Sequence, residues 1–126
     1  MLTRILHTGV AVMSLKQAVG FFTNMGYEVV EEFEKEDIKA QVALVAKGES
    51  AFELFQFEDM DLPTVDLIRN HVAIYSDTLE VDIDALLQLG YELTIPITEG
   101  KTLRYAFVQD THGTNWEIAT DKTSSS

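Results

Sequence analysis

The sequence predicts an α+β fold built from two tandem βαβββ modules. Three observations lead there: an order of elements that occurs twice, a common spacing of 64 residues between matching residues of the halves, and the composition of a packed domain. A chain of 126 residues fits one domain. Its 46% hydrophobic and 24% charged residues, with two prolines, can bury a core and lack the signature of a disordered chain.

In the first half, Ile5 to Val12 is rich in strand formers. Ser14 then caps a helical pattern in which Leu15, Ala18, Val19, Phe22 and Met25 recur on one apolar face, and Gly26 stops it. Tyr27 to Phe33, Ala40 to Ala46 and Ala51 to Phe57 read as strands separated by charged or glycine-containing turns. An acidic connector with Pro63 follows.

In the second half, His71 to Ser76 is a strand, and Asp77 or Thr78 caps a helix carrying Leu79, Ile83, Leu86, Leu87 and Leu89 that ends at Gly90. Tyr91 to Ile97, Leu103 to Gln109 and Asn115 to Ala119 are further strands. The modules therefore span about 4–58 and 68–120 of a single 1–126 domain, joined by connector 59–67, with 121–126 a polar tail expected to fray.

The halves match residue by residue. His7 and His71, Glu53 and Glu117, and the triplets Gly26-Tyr27-Glu28 and Gly90-Tyr91-Glu92 all stand 64 residues apart, an agreement that points to duplication without gaps.

Nine basic against 21 acidic residues leave a net charge of −12, which disfavours nucleic-acid and anionic-membrane partners. No stretch approaches the roughly 20 apolar residues of a spanning helix. Met1 to Val12 lacks a secretory pattern, so a cytoplasmic location is expected. With no cysteine, a metal must be held by His, Asp or Glu.

Strand alternation puts His7 on a face with Gly9 and Ala11, Glu53 with Phe55 and Phe57, His71 with Ala73 and Tyr75, and Glu117 with Ala119. A carboxylate in an apolar strand such as 51–55 is costly to bury without a partner. Two imidazoles and two carboxylates at corresponding positions suit one divalent ion, Ni, Zn, Mn, Co or Fe, with coordination positions left for water or substrate. Ion pairs of the two glutamates with Arg4, Arg69 or Arg104 are the structural alternative. The alternating positions also place Phe55, Phe57, Tyr75, Tyr105 and Phe107 as an aromatic wall, for which ordinary core packing is the other reading. Arg104 and Lys101 are the candidates for holding an anionic substrate group, although alternation turns Arg104 away from Tyr105 and Phe107. His112, in the 110–113 turn, is given no role.

With His7, Glu53, His71 and Glu117 in a duplicated βαβββ pattern, the chain resembles the vicinal oxygen chelate superfamily (glyoxalase, bleomycin resistance and dioxygenase proteins). Within it, single-domain bacterial glyoxalase I-like proteins are most similar. The resemblance runs from Arg4-Ile5-Leu6-His7-Thr8 to Asn115-Trp116-Glu117-Ile118, and the stretch 106–118 is similar to the family's strand, Asp-Pro-x-Gly turn and Glu-bearing strand, with Thr111 where proline is usual. It implies a curved mixed sheet forming a cup with helices on the outer face, one metal ion at the floor ligated by His7, Glu53, His71 and Glu117, and a homodimer acting on a small molecule.

The implied activity is that of a metal-dependent lyase or isomerase, in which the ion stabilises an enediolate and a carboxylate moves the proton. Glu117 is the first choice for that carboxylate and Glu53 the second. Few basic residues and a short connector leave no clear glutathione clamp. The alternatives are another enzyme of the superfamily, such as an epimerase, or a bleomycin-resistance-like protein that sequesters a small molecule.

Overall fold

The computed structural model describes residues 1–61 and 70–122. Pro63, Arg69, connector positions 62–67 and the tail beyond Lys122 lie outside the described residues. By its internal contacts the chain divides into one unit of residues 7–70 and another of residues 1–6 with 71–126, so that the first strand, β1 (Leu2–Ala11), enters both.

In the 7–70 unit, β1 is followed by α1 (Leu15–Asn24), β2 (Glu28–Lys35), a 3-10 turn (Glu36–Ile38), β3 (Ala40–Lys47) and β4 (Ser50–Phe57). The strands lie in the order β2-β3-β4-β1. Only the β4–β1 pair is parallel, because α1 carries the chain across between β1 and the β2–β4 meander. Helix α1 starts where expected: Ser14 Oγ accepts from the Gln17 N–H at 3.2 Å, and Gln56 Oε1 accepts from the Leu15 N–H at 2.7 Å. It ends at Gly26, whose φ of +91° is readily open only to glycine.

The other unit repeats the plan with β5 (Asn70–Ser76, from His71 onward), α2 (Leu79–Gln88), β6 (Glu92–Glu99), β7 (Leu103–Gln109) and β8 (Asn115–Asp121), in the order β5-β8-β7-β6. Again the pair that includes the first strand, β5 with β8, is parallel and the others are antiparallel. The architecture is α+β with mixed strand pairing and tandem βαβββ modules, as the sequence predicts.

Packing on the helices decides which strand face is which. Phe22 of α1 lies against Phe52 with ring centroids 4.8 Å apart and against Tyr27 at 5.1 Å. Phe52 therefore faces the helix, and alternation turns Glu53, Phe55 and Phe57 to the opposite face. In the second unit Leu79 and Ile83 of α2 form a buried cluster with Ala106, Val108 and Ile118, with Ile74 and Trp116 packed against it. Alternation then turns His71, Ala73, Tyr75, Tyr105, Phe107, Glu117 and Ala119 away from α2.

The repeat is not gapless. Ala43 pairs with Leu54, and the matching pair is Ala106 with Ile118, so β8 follows β4 by 64 residues but β7 follows β3 by 63. The extra residue lies in the β7–β8 turn. Strand β6 departs further, with register shifts between Leu93 and Ile95 and between Ile95 and Thr98, around Pro96.

Candidate metal centre

Each unit carries one His–Glu pair, built the same way. In the 7–70 unit the parallel register sets Thr8 beside Phe52, Gly9 beside Glu53 and Val10 beside Leu54. In the other unit it sets Val72 beside Trp116, Ala73 beside Glu117 and Ile74 beside Ile118, every partner displaced by 64. In both, the histidine stands two positions before the residue beside the glutamate, hence on the same sheet face. The residues directly beside the two glutamates are small, Gly9 and Ala73.

The His7 Nε2 lies 3.2 Å from Glu53 Oε1, and the His71 Nε2 lies 2.8 Å from Glu117 Oε1. Side-chain exposure is 4% and 20% in the first pair and 1% and 6% in the second, so His71 and Glu117 are the drier pair. Phe107 closes over His71 edge-on at 4.9 Å between ring centroids, and it stands directly opposite Glu117 across the β7–β8 ladder.

These separations suit metal ligation. Two ligand atoms about 2.1 Å from a divalent cation and at right angles to each other lie about 3.0 Å apart, and imidazole nitrogen with carboxylate oxygen is a donor set that such ions accept. Each unit thus offers an imidazole nitrogen and a carboxylate oxygen close enough together to bind one cation. The chemistry open to such a set is Lewis-acid activation of an oxygen ligand, with a carboxylate at hand to move a proton.

A sequence profile described as the Glyoxalase/Bleomycin resistance protein/Dioxygenase superfamily matches residues 4–118. The chain belongs to this superfamily. Solved structures agree on the fold. A Streptomyces coelicolor methylmalonyl-CoA epimerase variant in complex with 2-nitronate-propionyl-CoA has a TM-score of 0.82 at 22% identity, covering 98% of this chain and 100% of its own. Methylmalonyl-CoA epimerase from Mycobacterium tuberculosis has a TM-score of 0.81 at 21% identity over 95% of this chain and 89% of its own. A hypothetical protein from Bacillus halodurans has a TM-score of 0.80 at 19% identity over 98% and 97%. No curated protein matches the sequence significantly. Among the described residues no helix is long and apolar enough to cross a membrane.

The aromatic candidates of this superfamily member fall into three groups. Phe55 and Phe57 stack with centroids 5.6 Å apart and an interplanar angle of 13°, on the Glu53 face. Tyr105 meets Phe107 edge-on at 6.1 Å, on the Glu117 face. Tyr75 is engaged on two sides: its hydroxyl donates to Asp121 Oδ2 at 3.2 Å, and the Arg4 guanidinium lies 4.7 Å from its ring centroid.

Arg104 occupies a different setting from these rings. Its Nε donates to Glu99 Oε2 at 2.8 Å and its Nη2 to Glu80 Oε2, which ties the β6–β7 hairpin to the first turn of α2. This is the face to which alternation assigned it. Lys101 is exposed in the same hairpin. His112 is exposed in the β7–β8 turn, where its N–H donates to Asp110 Oδ1 at 2.9 Å.

Two residues on the Glu53 face escaped the sequence reading. Leu44 stands across from Glu53 and Val42 across from Phe55 on β3. They sit in an apolar run, Val42 to Ala46, that alternation alone cannot orient. Their counterparts Phe107 and Tyr105 were found because β7 carries aromatics, and the change in offset from 64 to 63 hid the correspondence.

Proposed function

We propose that this protein is a metal-dependent isomerase or lyase of the glyoxalase I type. It moves a proton between carbons adjacent to a carbonyl in a small molecule or its thiol adduct. The observation that carries this reading is the pair of His–Glu couples at one register of two parallel strand pairs, with His71 and Glu117 nearly removed from water. Burying a carboxylate in such surroundings is costly unless a cation or a hydrogen-bond partner compensates.

In this reading His7, Glu53, His71 and Glu117 hold one divalent ion, Ni, Zn, Mn, Co or Fe, within a homodimeric cup. When bound, the ion supplies Lewis-acid polarisation of a substrate carbonyl. The chain's own groups do the rest. Glu117 takes the proton from carbon and returns a proton to the neighbouring carbon. Glu53, the more exposed of the two carboxylates, is the second candidate for this work. Phe55, Phe57, Tyr75, Tyr105 and Phe107 supply apolar wall for the substrate's unreactive portion. Lys101 and Arg104 contribute positive charge at the hairpin for an anionic substrate, and two carboxylates already engage Arg104.

A second reading in the same chemical class is epimerisation of an acyl thioester, favoured by the structural neighbours solved with methylmalonyl-CoA and 2-nitronate-propionyl-CoA. The third, sequestration of a small molecule without turnover, needs no ligand quartet.

The test is metal analysis of protein purified without chelator, followed by solvent proton-exchange assays with Ni, Zn, Mn, Co and Fe on α-ketoaldehyde–thiol adducts and on acyl-CoA thioesters. A stoichiometric ion with exchange on adducts supports the glyoxalase-type reading, and exchange on thioesters alone supports the epimerase. Indifference to metal in both binding and turnover overturns the enzyme reading.

A further inference from the structure

The two modules set the register of their glutamate-bearing strands by different means. Between β3 and β4 the hairpin closes directly, with Lys47 opposite Ser50 and Gly48 at a φ of +60°. Between β7 and β8 the ladder stops at Gln109 opposite Asn115 and leaves a five-residue turn, 110–114, which contains the residue by which the repeat slips from 64 to 63. Register in a hairpin follows from loop length and turn geometry, so here it depends on how the longer turn is closed. Register matters at this point, since a slip of one residue would carry Glu117 from its own face to the α2 face and Trp116 the other way.

Asp110 occupies the place where that freedom is removed. Its Oδ1 accepts from the N–H of His112 and from the N–H of Thr114, both at 2.9 Å, while its own N–H donates to the Thr114 carbonyl at 3.0 Å and its carbonyl accepts from Gly113 N–H at 3.1 Å. Gly113 has a φ of +89°, which lets the turn close around the carboxylate. Trp116, the residue before Glu117, anchors the next position by packing on the Leu79, Ile83 and Ile118 cluster. The Thr114 N–H, and after it the His112 N–H, hold the Asp110 carboxyl below the usual carboxylate range.

We infer that Asp110 is a positioning residue for Glu117. By tying residues 112 and 114, it holds β8 in the register that presents the Glu117 carboxylate to the His71 imidazole. The inference rests on the metal-binding reading above, and it adds a residue that touches neither ligand of the pair. Groups outside the coordination sphere that fix a ligand's orientation are a recognised determinant of metal affinity.

The experiment measures cation affinity by titrating Zn or Ni into chelator-treated full-length protein, following the lone tryptophan, Trp116, by fluorescence. Asp110→Ala is expected to raise the Kd about tenfold and to shift Trp116 emission, and Asp110→Asn, which keeps an acceptor oxygen for both N–H groups, to restore most of the affinity. In a Glu117→Gln background the further loss on Asp110→Ala is expected to vanish, because the residue acts through Glu117. A general loosening of the fold would leave the same tenfold loss in both backgrounds, and that result overturns the inference, as does an unchanged Kd in Asp110→Ala. If the alanine variant does not fold, Asp110→Ser, with a shorter acceptor, is read the same way. Wild-type protein that takes up no cation overturns the functional reading and this inference together, whereas cation binding that is indifferent to residue 110 overturns this inference alone.

Discussion

His71 and Glu117 face each other across neighbouring parallel strands with Nε2 and Oε1 2.8 Å apart, under the edge of Phe107. The corresponding pair, His7 and Glu53, is looser at 3.2 Å, and its carboxylate is more exposed. This difference between equivalent pairs predicts a difference in what their glutamates do. Glu117→Gln, which keeps the shape and removes the charge, is expected to lower kcat by about 10²–10⁴-fold, the size of a lost proton-transfer group. Glu53→Gln is expected to weaken metal binding with a smaller fall in kcat. Steady-state kinetics at saturating metal check both, and an equal fall in the two variants would remove the distinction drawn between the carboxylates.

Chelation offers a second check that needs no substrate. An ion that binds the folded chain and not the unfolded one stabilises it by mass action, about 2.7 kcal/mol at a free concentration 100 times the Kd. Thermal unfolding of metal-loaded protein is therefore expected several degrees above that of protein treated with a chelator. The difference should disappear in a His71→Ala, Glu117→Ala double variant. A Tm that ignores chelator would count against ligation by these residues.

Much of this was legible from residues alone, because duplication converts weak local signals into a joint constraint. A histidine on a strand says little, but His7, Glu53, His71 and Glu117 at one offset imply one architecture, and the parallel registers carry that offset through four consecutive residue pairs in each unit. The parts that were not legible share a physical cause, which is that they depend on how strands pair and not on what they contain. The slip of β7 arises in a turn, the irregular β6 ladder follows from Pro96, and the faces of Val42 and Leu44 are hidden in a continuous apolar run. The setting of Arg104 was half legible: alternation gave its direction, while its partner Glu80 comes from a helix 24 residues away in sequence.

That ion pair yields a pH prediction. Glu80 has its pKa lowered from the ordinary 4.5, first by the hydrogen bond from Arg104, with its own backbone N–H and the guanidinium charge adding to it. A carboxylate with a depressed folded pKa contributes stability that is fully present above its unfolded value and is lost as pH falls through the folded one. The stabilisation of wild type over Arg104→Met should thus be fully present at neutral pH and shrink as the pH falls below the ordinary glutamate range through the lowered folded-state pKa. The effect is modest because the Glu80 side chain is 45% exposed and solvent screens the pair. Urea midpoints of the two proteins across this range test it, and a difference that grows on acidification would contradict the sign.

Gly100, at the tip of the β6–β7 hairpin, marks a close approach that a single methyl group should disturb. Its N–H donates to the Leu103 carbonyl at 2.7 Å, and a Cβ at this position would stand 2.9 Å from that same carbonyl oxygen and 3.1 Å from Cε1 of Tyr105. The oxygen belongs to the ladder and cannot move without opening the turn, so the strain falls on the hairpin and on the tyrosine ring. Gly100→Ala is expected to destabilise the protein by about 1–3 kcal/mol, the usual cost of forcing atoms into a filled site. Tyr105 lies on the Glu117 face against Phe107, so displacing its ring should raise KM for substrate while leaving the metal Kd unchanged, since neither the ligands nor the 110–114 turn that sets the Glu117 register is disturbed. Equilibrium unfolding in urea and a metal titration on the same variant separate these effects. A variant as stable as wild type would show that the hairpin relaxes around the added methyl, and a change in metal affinity would show that Tyr105 is coupled to the ligands more closely than its edge-on contact with Phe107 implies.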